Sequence, residues 1–371
     1  EAARLPLDEG MDPAGLIELL TPVIFDPAVA PQKVNLTPGE DLLVTSATNF
    51  YRDVTQAEAE AFYAERINPD DPRPISWGLN SQLVKEDGEL VERVWRIGGM
   101  YGSALEQVAY WLEQAVPVAE NDAQRAWLEK LIAYYRSGDL SDFDDYNVAW
   151  VGDTDSRVDT INGFIEVYGD PLGYRGAWES VVSIRDLEAT ARIAAIGGHA
   201  QWFEDNSPIQ DEHKKENVVG ISAKVITIVM EGGDAAPSTP IGINLPNANW
   251  IRKEHGSKSV TMGNIIDAYN VASAASGFHD EFMYTDEEKA RFAEHGNLAY
   301  FLDVDLHEVI GHASGQINSG VGTPKETLKN YSSALEEARA DLVALYFSLD
   351  PELIELGVAD TDEVGKTTYD R

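Results

Sequence analysis

The chain has 371 residues, of which 43% are hydrophobic, enough for two or three domains and a sizeable core. Its formal net charge of −36, from 64 acidic against 28 basic residues, argues against nucleic acid and anionic membrane as partners, because both need a basic footprint. Cysteine is absent, which excludes a disulfide framework and leaves nitrogen and oxygen as the donors for any metal.

In chain order, Val23 to Phe25 and Leu42 to Val44 read as strands. Thr55 and Glu58 form a capping box that opens a short Ala-rich helix reaching about Arg66. Residues 68–74, rich in Pro and Asp, must be a loop. Residues 79–97 turn strand-like around Asp87-Gly88, a hairpin signal. Two amphipathic helices follow. One carries Leu105, Val108, Leu112 and Ala115 before Pro117; the other carries Trp127, Leu128, Leu131 and Tyr135 before Gly138, a C-terminal stop. Residues 139–147 hold four aspartates but lack the glycine and ligand order of a calcium loop, so they read as solvated surface.

Residues 163–171 read as a strand running into a turn. Period-two alternation puts Glu166 and Tyr168 on one side of it, and by itself this is a cross-strand polar pair. Residues 183–200 look helical, while 218–230 and 241–246 read as strands. Asn244 and Asn247 flank a Leu-Pro step that must be extended, leaving backbone groups to pair with another chain. Thr285 and Glu288 make a second capping box, starting a helix shortly before the one that carries the chemistry. His199, His213, His255, His279 and His295 show no ligand spacing and read as structural or exposed. No apolar run approaches the length of a membrane span.

The chemistry concentrates in residues 305–312 and 336–341. His307 and His312 stand five apart, with Glu308 directly after the first. Five steps of an ordinary helix rotate the second ring roughly 140° away from the first. A one-residue π-bulge would restore a shared face, and Gly311 sits where a missing Cβ eases the distortion. Glu337 and Asp341 are four apart and share a helix face, with Glu336 one position round. Two imidazoles and a carboxylate from the second stretch can supply three ligands to zinc, with a fourth position open for water and substrate and Glu308 placed to take a proton. The same residues could instead be a satisfied histidine pair beside a solvated acidic face.

Taken together, the two stretches resemble the signature motifs of the dipeptidyl peptidase III family of zinc exopeptidases. Residues 163–171 look like its segment that grips the substrate's N-terminus, residues 242–247 like its substrate-pairing strand, and much of 20–350 like its bacterial branch. The resemblance implies Zn2+ held by His307, His312 and Glu337, with Glu308 activating water. Glu336 and Asp341 would orient the histidine rings, Glu166 and Tyr168 would receive the peptide's amino group, and Asn244 and Asn247 would hold its backbone. It implies release of dipeptides from the N-terminus of short peptides; the alternative is a member or fragment that binds zinc and peptide without turnover.

The implied fold is α+β, with two lobes flanking a wide cleft and closing by hinge motion. Residues 1–186 would form a β-rich lower lobe with a β-barrel core, 187–224 a segment of the upper lobe, 225–273 lower-lobe strands with the two asparagines, and 274–371 the helical, zinc-bearing upper lobe. Family members begin earlier and continue further, supplying more basic and histidine residues. The chain therefore reads as a fragment, with the missing remainder of the same protein as a partner. Glu1 to Arg4 do not read as a signal peptide, and the expected compartment is the cytoplasm, or else the periplasm.

Overall fold

The computed structural model describes residues 12–26, 33–218, 222–236, 239–318, 320–321, 327–328 and 331–371. The chain is mixed α+β and divides into two compact units: residues 1–147 with 162–178, and residues 148–161 with 179–371.

The first unit opens with α1 (Pro13–Phe25) and α2 (Leu42–Thr45). Val23 to Phe25, the end of α1, and Leu42 to Val44 were expected as strands. Their N-caps decide the matter: Asp12 accepts from Gly15 N ahead of a Pro at the first helical position, and Asp41 accepts from Leu43 and Val44 N. Side chains that satisfy orphan donors override the β-branched composition of such short runs. After β1 (Tyr51–Arg52), α3 (Gln56–Ala64) starts at the expected capping box, with both reciprocal bonds formed. β2 (Ser81–Glu86) and β3 (Glu89–Val94) pair antiparallel around Asp87 and Gly88, at φ 50° and 90°, the left-handed pair that a tight hairpin needs. β1 adds to β2 in parallel, giving an open three-stranded sheet.

Helices α4 (Gly102–Ala115) and α5 (Asp122–Ser137) bury most of the apolar stripes read from the sequence, Val108 and Ala115 being half-buried, and Gly138 stops α5 at φ 70°. Residues 139–147 are only partly surface: Asp139, Ser141 and Asp145 are exposed, but from Leu140 the chain is α6 (Leu140–Gly152), where Phe143, Asp144, Tyr146 and Asn147 are buried. Their aspartates hide a helical apolar period, and Phe143 packs on Tyr134 while Tyr146 meets Trp127. The segment after β4 (Val158–Glu166) is organised by buried Asp170, which accepts from Leu172 N (3.0 Å), Tyr174 N (2.9 Å), Arg175 N (2.8 Å) and Tyr51 Oη (2.9 Å). Fully buried Arg175 lies over the Tyr51 ring and bonds both the Tyr51 and Tyr63 hydroxyls.

β5 (Ala177–Arg185), β6 (Ser222–Gly233), β7 (Gly242–Leu245) and β8 (Lys258–Met262) join β4 in a sheet of order β4-β5-β6-β8-β7. β5 and β7 run antiparallel to their partners β6 and β8, whereas β6 and β8 run parallel. Residues 183–185, expected as helix, complete β5; Asp186 then caps α7 (Leu187–Gly198) by accepting from Ala189 N. Of the strand expected from 218, residues 219–221 lie outside the described residues. β7 ends at a cis Leu245–Pro246 bond. Among the described residues neither sheet closes on itself, so the barrel expected of the β-rich part is not seen.

The helical layer comprises α7, α8 (Ala200–Asn206), α9 (Asn249–His255), α10 (Gly263–Ala275), α11 (Phe278–Phe282), α12 (Asp286–Leu306), α13 (Ser332–Phe347), α14 (Glu352–Glu355) and α15 (Glu363–Asp370). A core of Ile193, Ile196, Phe203, Leu302, Leu306, Val309, Val343 and Phe347 joins α7, α8, α12 and α13. Burying an aliphatic or aromatic side chain is worth about 1.5–3 kcal/mol, so this layer is a firm base for what α12 and α13 carry. No helix among the described residues is long and apolar enough to cross a membrane.

Candidate functional site

Helix α12 begins at the expected capping box of Thr285 and Glu288 but is not a separate helix ahead of the histidines: it runs 21 residues to Leu306 and straight into them. Arg192 of α7 pairs with buried Asp305 at 3.3 Å, fixing the last turn. Burial pushes the Asp305 carboxyl up to about 7, against the pull of Arg192. The chain then enters a π turn, His307–Gly311, closed by His312 N donating to His307 O at 3.0 Å. This extra residue per turn is what a five-residue histidine spacing requires. The two rings stand 4.7 Å apart between centroids and nearly perpendicular, at 89°.

Gly311 has a reason beyond ease of distortion. A Cβ there would lie 2.8 Å from Ala340 O and 2.9 Å from Ala340 Cα, so only glycine lets α13 approach the π turn this closely. That approach brings the carboxylates of α13 to the histidines. His307 Nδ1 is 2.7 Å from Asp341 Oδ1, and His312 Nδ1 is 2.9 Å from Glu336 Oε1. With both Nδ1 atoms engaged, the Nε2 atoms are left to face Glu337, whose Oε2 is 3.3 Å from His307 Nε2 and 3.8 Å from His312 Nε2. Donors about 2.1 Å from a tetrahedral ion stand about 3.4 Å from one another. The distances of 3.3 and 3.8 Å bracket that value.

Donor atoms of His307, Glu308 and His312 also lie within 4.8 Å of one another. This cluster can therefore hold a divalent cation, and Glu337 lies near both Nε2 atoms as a second candidate carboxylate. Glu308 turns towards the sheet: its Oε1 lies 3.3 Å from where a Cβ on Gly242 would stand, so the missing side chain leaves β7 close beside the carboxylate. The hydrogen bond to Glu336 raises the His312 pKa against the opposing effect of burial. That bond, aided by Arg339, holds Glu336 at about 2, so it stays an acceptor at any working pH.

Asn244 sits on β7, the strand at the sheet edge. Its Nδ2 donates to Ser259 Oγ at 2.9 Å, and its Oδ1 is buried with no partner among the described residues. Asn247 lies beyond Pro246 in irregular chain. Glu166 is the last residue of β4, and Tyr168, 79% exposed, lies in the following turn, so strand alternation does not extend to it. Both belong to the first unit and the histidine cluster to the second. Two contributors were missed in the sequence. Arg339, visible only as a basic residue three after Glu336, binds that carboxylate and the π turn; Arg192 gave no signal.

A family model described as peptidase family M49 matches residues 80–322, a span that contains both histidines and Glu308. The chain belongs to peptidase family M49. This M49 chain is 30% identical over 306 residues to dipeptidyl peptidase 3 of Dictyostelium discoideum, covering 73% of itself and 42% of that protein. It is 26% identical over 286 residues to dipeptidyl peptidase 3 of Homo sapiens, covering 70% of itself and 38% of that protein. It thus spans about two fifths of the length of these curated relatives. The structure of DPP III from Caldithrix abyssi superposes with a TM-score of 0.73 over 98% of this chain and 67% of that one, at 24% identity. At that identity the likeness is one of fold.

Proposed function

We propose that this M49 chain is part of a zinc-dependent exopeptidase that releases dipeptides from the N-terminus of short peptides. The observation that carries the reading is the division of labour at the two rings: both Nδ1 atoms are bound to carboxylates, and both Nε2 atoms converge on Glu337. Carboxylate-bound Nδ1 fixes the tautomer and makes Nε2 the better ligand. In this reading His307, His312 and Glu337 hold Zn2+, and Asp341 and Glu336 orient the rings. The ion, when bound, supplies Lewis acidity and makes water a nucleophile at neutral pH.

Glu308 is the base. It takes the proton of the attacking water and returns it to the departing amine. Its place beside β7 supports this, because an extended peptide laid on a sheet edge presents its backbone there. Asn244 and Asn247 are assigned to that backbone, and Glu166 with Tyr168 to the peptide's charged amino group. The last assignment rests on the family resemblance, as do the two-lobed division and hinge closure.

The test uses the full-length protein. Glu308→Gln is expected to keep stoichiometric zinc and to slow dipeptide release by about 10³-fold or more; a variant with undiminished turnover sinks the mechanism. Wild-type protein that binds zinc and peptide but releases no dipeptide supports the non-catalytic alternative. Glu166→Gln is expected to raise KM far more than it lowers kcat, and an unchanged KM removes Glu166 from the amine site.

A further inference from the structure

The last carbonyls of a helix lack intrahelical donors and must be satisfied from elsewhere. Beyond the π turn, charged side chains do this. Arg339 Nη1 donates to Gly311 O at 2.9 Å, Ser314 O at 3.0 Å and Ser314 Oγ at 2.6 Å. Lys215 Nζ donates to Ala313 O. Buried Glu204 accepts from Gly315 N, at 3.0 and 3.1 Å to its two oxygens, where Gly315 at φ 73° turns the chain away. Cations against helix carbonyls are favourable in their own right.

Arg339 does more than cap. Its Nε donates to Glu336 Oε2 at 2.9 Å, and its Nη2 donates to Glu336 Oε1. That same Oε1 faces His312 Nδ1 at 2.9 Å. One planar group thus grips the backbone on both sides of His312 and also the carboxylate that aims the His312 ring. A guanidinium can make both sets of bonds at once because its donors are fixed in a fork; an ammonium on a flexible stem cannot.

We propose that Arg339 is a positioning residue for the metal site, setting the place and rotation of the His312 imidazole and through it the affinity for the ion. It touches neither metal nor substrate. The proposal rests on the zinc reading above, and the experiment separates the two, because wild-type full-length protein is titrated with Zn2+ against a competing chelator before any variant is compared. No zinc binding by the wild type sinks the metal reading and this proposal with it.

Given wild-type binding, Arg339→Gln is expected to weaken Zn2+ about 10- to 100-fold. The visible absorption bands of the Co2+-substituted protein should shift, reporting a displaced ligand. Arg339→Lys restores charge without the fork and should recover less than half of the loss on a logarithmic scale. A plain helix cap predicts otherwise: a lower unfolding temperature of the metal-stripped protein, with Zn2+ affinity within twofold of wild type and unchanged Co2+ bands. That result overturns the proposal. Should Arg339→Gln fail to fold, Arg339→Lys decides: a loss of threefold or more in Zn2+ affinity supports it, and wild-type affinity refutes it.

Discussion

Gly311→Ala tests the idea that the metal site depends on how closely α13 approaches the π turn. The added Cβ would meet Ala340 O at 2.8 Å, Ala340 Cα at 2.9 Å and Ala340 Cβ at 3.0 Å, two of the three being backbone atoms that cannot rotate away. Restoring ordinary contact near 3.4 Å requires α13 to withdraw by about 0.6 Å. Overpacking of this kind costs about 1–3 kcal/mol, offset by up to about 1 kcal/mol from replacing a helical glycine with alanine. A net loss of about 1–2 kcal/mol is expected in urea unfolding of the metal-stripped protein. Zinc should suffer more, because ligand distances tolerate about 0.2 Å and α13 carries Glu337; at least tenfold weaker binding in a chelator competition is expected. Gly198→Ala, in α7, meets nothing within 4 Å and serves as the control, with stability expected within about 0.5 kcal/mol of wild type. A Gly311→Ala protein with wild-type stability and wild-type zinc affinity would refute the close-approach reasoning.

Asp144 gives a pH signature in the first unit. Burial, with the Asp145 charge beside it, pushes its carboxyl up from 3.8 to about 7. The folded state therefore binds an extra proton between about pH 4 and 7, and this group removes stability as pH rises through that window, with little further loss above it. Asp144→Asn is expected to gain about 1–2 kcal/mol at pH 8, with a ceiling of about 4 kcal/mol from the full displacement, and nothing near pH 3.5; a difference that stays flat across the window contradicts it. Arg175→Met should cost about 3–5 kcal/mol, because it leaves the Asp170 carboxylate buried without its cation. A denaturant titration showing under about 1 kcal/mol would mean that the backbone donors to Asp170 suffice.

The clustering of the candidate ligands was legible because its information is local and chemical. A five-residue histidine spacing cannot share the face of an ordinary helix, so the π turn followed from geometry before any contact was known, and His312 N reaching His307 O is its direct expression. The capping boxes at Thr55 and Thr285 and the Asp87-Gly88 hairpin were legible for the same reason, since each is complete within four residues. Failures came where short runs had two solutions. Val23 to Phe25 and Leu42 to Val44 carry β-branched or aromatic residues, yet Asp12 and Asp41 supply the caps that make helices cheaper. Three aspartates masked the apolar face of α6, and β4 ends before Tyr168, ahead of a turn gathered by Asp170 that alternation does not register.

Contacts between distant parts of the chain were not legible, and they are what hold the π turn. An isolated π turn gives up ordinary helical geometry and leaves its last carbonyls without donors, so nothing within residues 307–312 explains its persistence. The compensation lies elsewhere in the chain. Arg339 and Lys215 bind the carbonyls of residues 311, 313 and 314, Glu204 takes the amide of Gly315, and Ala340 closes over the bare Gly311. Each is 25 to 111 residues from its partner. The distorted histidine helix and the carboxylate helix are thus one structural unit: the contacts that stabilise the distortion also bring Glu336, Glu337 and Asp341 to the rings. A substitution that loosens either helix should therefore weaken the metal site before it unfolds the protein, which is the ordering that Gly311→Ala and Arg339→Gln put to measurement.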